Sequence, residues 1–207
     1  MSALDFSTLP YVAVALLAAV TVHEFAHAYV ADRLGDPTPR AHGRLTLNPL
    51  AHLDLVGTLL ILLVGFGWAK PVPITPTNFT NWRRDTVIVA AAGPLANVTL
   101  LFVLGVPFKL GVLPAYGNGA APIGVLLLTM MQINAMLAIF NLIPIPPLDG
   151  SKILLGLLPP VQAVAYARVQ TYGPFLLLLL LVFTNAWRFL IVPMRWLVLQ
   201  ASGSLFF

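Results

Sequence analysis

Four stretches of this chain, 9–31, 86–108, 122–143 and 173 to about 187, are each long and apolar enough to cross a lipid bilayer. A hydrocarbon core about 30 Å thick takes roughly 20 apolar residues in a helix. No water is present there to bond the backbone, so such runs must satisfy their own N–H and C=O groups, which predicts helices. Composition bears the point out: 9% of the residues are charged, against roughly a quarter in an ordinary globular domain, and the mean hydropathy is +0.91. A soluble fold is thereby disfavoured. The expectation is an all-α membrane protein, a polytopic helical bundle with about 4–6 transmembrane helices.

The first stretch is free of charge until His23 and Glu24. The fourth contains leucines 176 to 181, and the Arg188, Pro193 and Arg195 that follow fit either an interfacial helix or the end of one tilted span. Between the first two stretches, residues 55–69 (LVGTLLILLVGFGWA) carry no charge yet are short for a crossing, so the segment near 55–73 is expected to be re-entrant or membrane-associated. Basic residues set the orientation. Arg33, Arg40, Arg44, Lys70, Arg83 and Arg84 flank that segment, and Lys152 and Arg168 follow the third stretch, so cytoplasmic placement of these loops collects eight of the eleven basic residues. Lys109 then lies outside, as does the N-terminus. No basic leader or small-residue cleavage site precedes the first run, which is therefore expected to be a retained span. No basic cluster or aromatic–basic stripe suggests a nucleic-acid partner. With no repeat or hydrophilic linker in view, 1–207 is expected to be a single domain.

The chain contains no cysteine, so a metal would have to be held by nitrogen and oxygen. His23-Glu24-Phe25-Ala26-His27 fits H-E-x-x-H, in which two imidazoles one turn apart share a helix face and can share a zinc ion, with the glutamate able to reach its water. Random placement of four histidines and one glutamate would give the pattern about 4 times in 10,000. Glu24 is also the only glutamate in the chain, and it lies in a predicted span, where an ionisable group costs several kcal/mol unless paired or metal-bound. An ordinary polar cluster near the end of the span is the competing explanation.

A catalytic zinc usually takes three protein ligands and leaves a fourth position open. His42, His52, Asp54 and Asp149 are candidates for the third. Asp149 is preferred as the only acidic residue after Asp85. It follows the third stretch through Pro144, Pro146 and Pro147, which should end the helix and form an extended strut able to aim a carboxylate. The first span reaches its histidines after fourteen residues, roughly 21 Å, and the third runs the same way and ends just before Asp149, so the two ligand sets should lie at similar depth. An Asp-Gly turn, or an N-cap for a helix starting near Ser151, would equally explain Asp149. His42 and His52, in an arginine-containing polar loop, are left outside the site.

HEFAH in the first long helix, AAGPLAN at 91–97 and NLIPIPPLDG at 141–150 together resemble the site-2 protease family of intramembrane zinc metalloproteases, in its minimal prokaryotic form. GRLTLNPLAHLD at 43–54 and GWAKPVP at 67–73 are similar to the same family, and the resemblance spans about residues 9 to 160. It implies that His23, His27 and Asp149 bind Zn2+ and that Glu24 is catalytic. Asn97 and Asn141 would face the site, supporting either substrate backbone or the zinc ligands, with hydrogen bonding between helices as the competing explanation. The implied partners are transmembrane segments of membrane proteins, cut within or near the bilayer. The implied location is the prokaryotic plasma membrane, with the active site toward the cytoplasm. Leu55 stands where the family often has proline, and no PDZ-like or CBS-like module accompanies the motifs. Glu24 would act as general base and then return its proton to the leaving amine. A divalent-cation transporter or metal-binding membrane protein is the alternative, although it would usually spread polar residues along a path and often show repeated halves.

Overall fold

The computed structural model describes residues 8–54, 56–57, 68–114, 121–185 and 187–203. Within them the secondary structure is helical throughout, without a strand. The long helices are α1 (Leu9–Arg33), α3 (Trp82–Lys109) and α4 (Pro122–Asn141). Between the first two lies the four-residue α2 (Thr38–Ala41), and after α4 come α5 (Asp149–Leu157), α6 (Pro160–Gln170), α7 (Gly173–Phe183) and α8 (Trp187–Ser202). Helices α1, α3 and α4 are long and apolar enough to cross a membrane, and a fourth span results if α6 and α7, bent by 67° at their junction, are taken together. Three of the predicted stretches thus coincide with single helices, while the fourth is the second arm of a bent pair. Most of the predicted 55–73 segment, 58–67, lies outside the described residues.

Local chemistry accounts for the ends of these helices. Pro10 occupies the first turn of α1, where its missing N–H is not needed. At the other end Gly35, at φ +102°, lets Asp36 N–H reach back to the Ala31 carbonyl and Gly35 N–H to that of Asp32. This six-residue closure stops the helix on a residue without Cβ strain. Helix α3 opens on Asn81, whose side chain accepts from Arg84 N–H while Asp85 accepts from Asn81 N–H.

Helices α1, α3 and α4 pack on one another, with α5 against α3 and α8 against α3 and α4. The faces that meet are small: Ala15, Ala19, Ala28 and Ala31 of α1 are fully buried, which allows close backbone approach where lipid provides no hydrophobic drive to associate. A Cβ at Gly105 would stand 2.4 Å from the Ala201 carbonyl oxygen, so α3 meets α8 backbone to backbone there. Leu101, Phe108, Leu128, Met131, Ala135, Val198 and Ala201 form the apolar core between α3, α4 and α8. Large apolar side chains such as Leu95, Phe102, Val103 and Phe175 point outward. Helices apolar on both faces are those of a membrane protein.

Candidate metal centre

His23 and His27 lie on the buried face of α1, one turn apart, their rings edge to face with centroids 4.7 Å apart. Asp149 enters from the other side as the first residue of α5. Its Oδ2 stands 3.1 Å from His23 Nε2 and 3.0 Å from His27 Nε2, and the two Nε2 atoms are 3.1 Å apart. The three candidate ligand atoms all lie within 4.8 Å of one another, each on a buried residue. The helix preceding Asp149 stops at the prolines as expected, but the linker is not an extended strut. Residues 142–148 fold through tight turns, with Ile145 N–H on the Ile143 carbonyl, Leu148 N–H on that of Ile145, and a cis bond between Pro146 and Pro147. Nor is Asp149 an N-cap, since Leu148 holds that position and the carboxylate turns away to the histidines.

The hydrogen bonds behind the rings place a proton on each Nδ1. Asn97 donates through Nδ2 to the Ala19 carbonyl at 3.0 Å and to Asn134 Oδ1 at 2.8 Å. A carbonyl can only accept, so Asn97 Oδ1 must face His23, whose Nδ1–H donates to it at 2.6 Å. His27 Nδ1–H likewise donates to the Val89 carbonyl at 2.7 Å. With Nδ1 carrying a proton in both, each ring in its neutral form turns an Nε2 lone pair toward the other and toward a carboxylate oxygen. Three lone pairs at about 3 Å repel unless a cation lies among them, and two imidazoles with one carboxylate are the ligand set of many catalytic zinc sites. Gly93 of α3 completes the fit, because a Cβ there would come within 2.4 Å of His27 Nε2 and 2.7 Å of His23 Cε1.

These groups border a cavity of about 580 Å³. Glu24, Asn141, Lys152 and the irregular segment carrying Pro71 and Val72 share its wall. Lys152, one turn beyond Asp149, donates to Asp149 Oδ1 at 3.1 Å, so one carboxylate oxygen faces the lysine and the other the rings. Asn141 lines the cavity and donates to the Leu137 carbonyl at 3.0 Å. Asn97 lies behind His23, fully buried, and joins that ring to the Ala19 carbonyl and Asn134. The other candidate ligands are elsewhere: His42 is exposed on the Thr38 carbonyl, buried His52 lies 2.8 Å from the Thr46 carbonyl, and Asp54 accepts from Gly57 N–H. Gly93, Lys152, Asn134 and Val72 were not singled out by sequence. Lys152 was the most accessible of these, standing at i+3 from Asp149 on one helix face.

The sequence model of "Peptidase family M50" matches residues 111–183. "Putative zinc metalloprotease YwhC" of Bacillus subtilis (strain 168) is 40% identical over 194 residues, covering 91% of this chain and 87% of the relative. "Putative zinc metalloprotease Rip2" of Mycolicibacterium smegmatis is 35% identical over 187 residues, covering 85% and 69%, and its Mycobacterium tuberculosis (strain H37Rv) namesake is 35% identical over 183 residues, with the same coverage. No solved structure gives a significant match. The likeness runs past residue 160, where recognisable motifs end, and takes in α6 and α7. Related over nine tenths of its length to a protein that carries the name of a zinc metalloprotease, this bundle of apolar helices belongs to peptidase family M50, the site-2 protease family, and is a metalloendopeptidase with Zn2+ as its cofactor.

Proposed function

We propose that this single-domain chain cuts peptide bonds within or near transmembrane segments of membrane proteins, with His23, His27 and Asp149 holding the zinc and Glu24 as general base. The supporting observation is the convergence, beside Glu24, of two Nε2 atoms and one carboxylate oxygen, the imidazoles standing on α1, a helix long and apolar enough to cross the bilayer. When bound, zinc lowers the pKa of a coordinated water and polarises a carbonyl oxygen. Glu24 takes the proton of the attacking water and passes it to the departing amine. Asn97 and the Val89 carbonyl keep the imidazoles in the tautomer that ligates. Asn141, on the cavity wall, is the residue available to the substrate backbone.

A helical substrate has its carbonyls bonded to amides four residues on, so it must unwind locally before attack. The stretch 55–73 receives the extended strand through backbone hydrogen bonds. Within 71–73 it offers carbonyl oxygens, because Pro71 and Pro73 have no N–H and that of Val72 is engaged. The protein sits multi-pass in a prokaryotic plasma membrane with the cavity toward the cytoplasm, as the distribution of arginine and lysine favours. The test is Glu24→Gln in purified protein, with a panel of single-span substrates and the products mapped by mass spectrometry. The expected result is zinc retained and cleavage lost. Cleavage that survives the substitution, or cuts confined to soluble loops far from the span, would contradict the proposal.

A further inference from the structure

Glu24 has one hydrogen bond among the described residues, and it comes from backbone: Val72 N–H donates to Glu24 Oε2 at 3.2 Å, from 48 positions away. Proline flanks Val72 on both sides, so this is the only N–H that residues 71–73 possess. The segment carrying it is clamped on either side. Before Val72, Lys70 N–H donates to the His52 carbonyl at 2.9 Å, while the buried Arg44 guanidinium donates to the Lys70 carbonyl at 3.3 Å and to that of Ala51. Beyond it, Thr75 N–H donates to Asp36 Oδ2 at 2.7 Å. Asp36 is fully buried and also accepts from Thr38 Oγ1 and Asn78 Nδ2. The polar loop after α1, whose arginine and histidine ligate nothing in the centre, thus grips the segment that touches Glu24.

We infer that the Val72 amide is a positioning group for Glu24, and that Asp36 and Arg44 act through it by fixing the strap from Lys70 to Thr75. A glutamate side chain has three rotatable bonds, and a donor on Oε2 selects one arrangement, leaving Oε1 as proton acceptor. Misplacing a reacting group by about 1 Å costs on the order of 100-fold in rate. This role rests on the protease reading given above.

The experiment replaces the Val72 amide by an ester, introducing the α-hydroxy analogue of valine at position 72, which exchanges N–H for oxygen and keeps the side chain. Val72→Pro removes the same N–H by ordinary mutagenesis. Glu24 is the only glutamate, so isotope-edited infrared spectroscopy on protein labelled with carboxyl-13C glutamate reads this carboxylate alone. The expected result is a shifted carboxylate band, zinc content unchanged, and kcat lowered about 10- to 100-fold. An unshifted band overturns the inference, as does an unchanged kcat. A raised kcat also overturns it, since the strap would then be a latch that withholds Glu24. Loss of zinc in both variants overturns it too, making the strap part of the fold and no guide to the carboxylate. If the unmodified protein shows no cleavage sensitive to Glu24→Gln, the protease reading fails and the positioning role falls with it; a normal unmodified rate with an unaffected ester variant removes the positioning role alone.

Discussion

Gly93→Ala tests the packing of the centre with a single methyl group. The added Cβ would stand 2.4 Å from His27 Nε2 and 2.7 Å from His23 Cε1, where ordinary contact begins at 3.4 Å. Relief therefore requires about 1 Å of movement in the His27 ring or in α3, whereas a zinc site tolerates ligand displacements of only about 0.2 Å. The rings cannot swing freely, because His23 is tied to Asn97 and His27 to the Val89 carbonyl, itself on α3 four residues before Gly93. Pushing α3 away would stretch those same bonds. Changes to groups that orient zinc ligands cost about 10- to 100-fold in metal affinity, or roughly 1.4–2.7 kcal/mol, and a direct steric push belongs at the upper end. The assay is competition for zinc against a chelator of known affinity, on detergent-purified Gly93→Ala protein that keeps its helical circular dichroism. A zinc affinity within twofold of the unmodified protein would refute the packing argument.

Asn97→Leu removes the acceptor for His23 Nδ1–H and leaves the Ala19 carbonyl and Asn134 without their donor; zinc affinity should fall about 10- to 100-fold and unfolding should become easier by about 1–3 kcal/mol, read by chelator competition and thermal melting. Leu101→Ala, in the apolar core away from the centre, should cost about 2–5 kcal/mol of stability while the folded fraction binds zinc normally. Asp36 should set an acid limit on stability. Burial works to raise its pKa, but hydrogen bonds from Thr38, Thr75 and Asn78 prevail and hold it below the usual value. Its stabilisation is therefore complete above the unfolded carboxyl pKa of about 4 and is lost as pH falls through the lower, folded value. Melting temperature should accordingly drop more steeply below about pH 4 in the unmodified protein than in Asp36→Asn, and parallel curves would remove Asp36 as the cause.

Signals local in sequence were legible in the chain. A hydrophobic run declares its helix through length alone, and α1, α3 and α4 begin and end within a few residues of the stretches read from hydropathy. Two histidines four apart share a face whatever surrounds them, so the HEFAH pair needed no tertiary information. Asp149 was reachable because acidic residues are so scarce, yet the turns that deliver it were not: Pro144, Pro146 and Pro147 announce that the helix stops without saying which way the backbone then bends. Gly93 and Val72 depend on how α3 and the strap meet α1, contacts made across 48 residues or more of sequence, for which spacing carries no signal. Asn97 shows the same limit, since a polar residue on a membrane helix can face substrate, ligand or neighbouring helix, and only the Ala19 and Asn134 contacts separate these.

X-ray absorption at the zinc K-edge, on purified zinc-loaded protein, reads the coordination directly. Two imidazoles and oxygen donors at about 2.0–2.1 Å are expected, unaltered when His42 and His52 are replaced, with one imidazole lost in His23→Ala or His27→Ala and an oxygen contribution lost in Asp149→Ala. A spectrum that keeps both imidazoles in His27→Ala, or changes on replacing His42 or His52, would contradict a centre built from α1 and the start of α5.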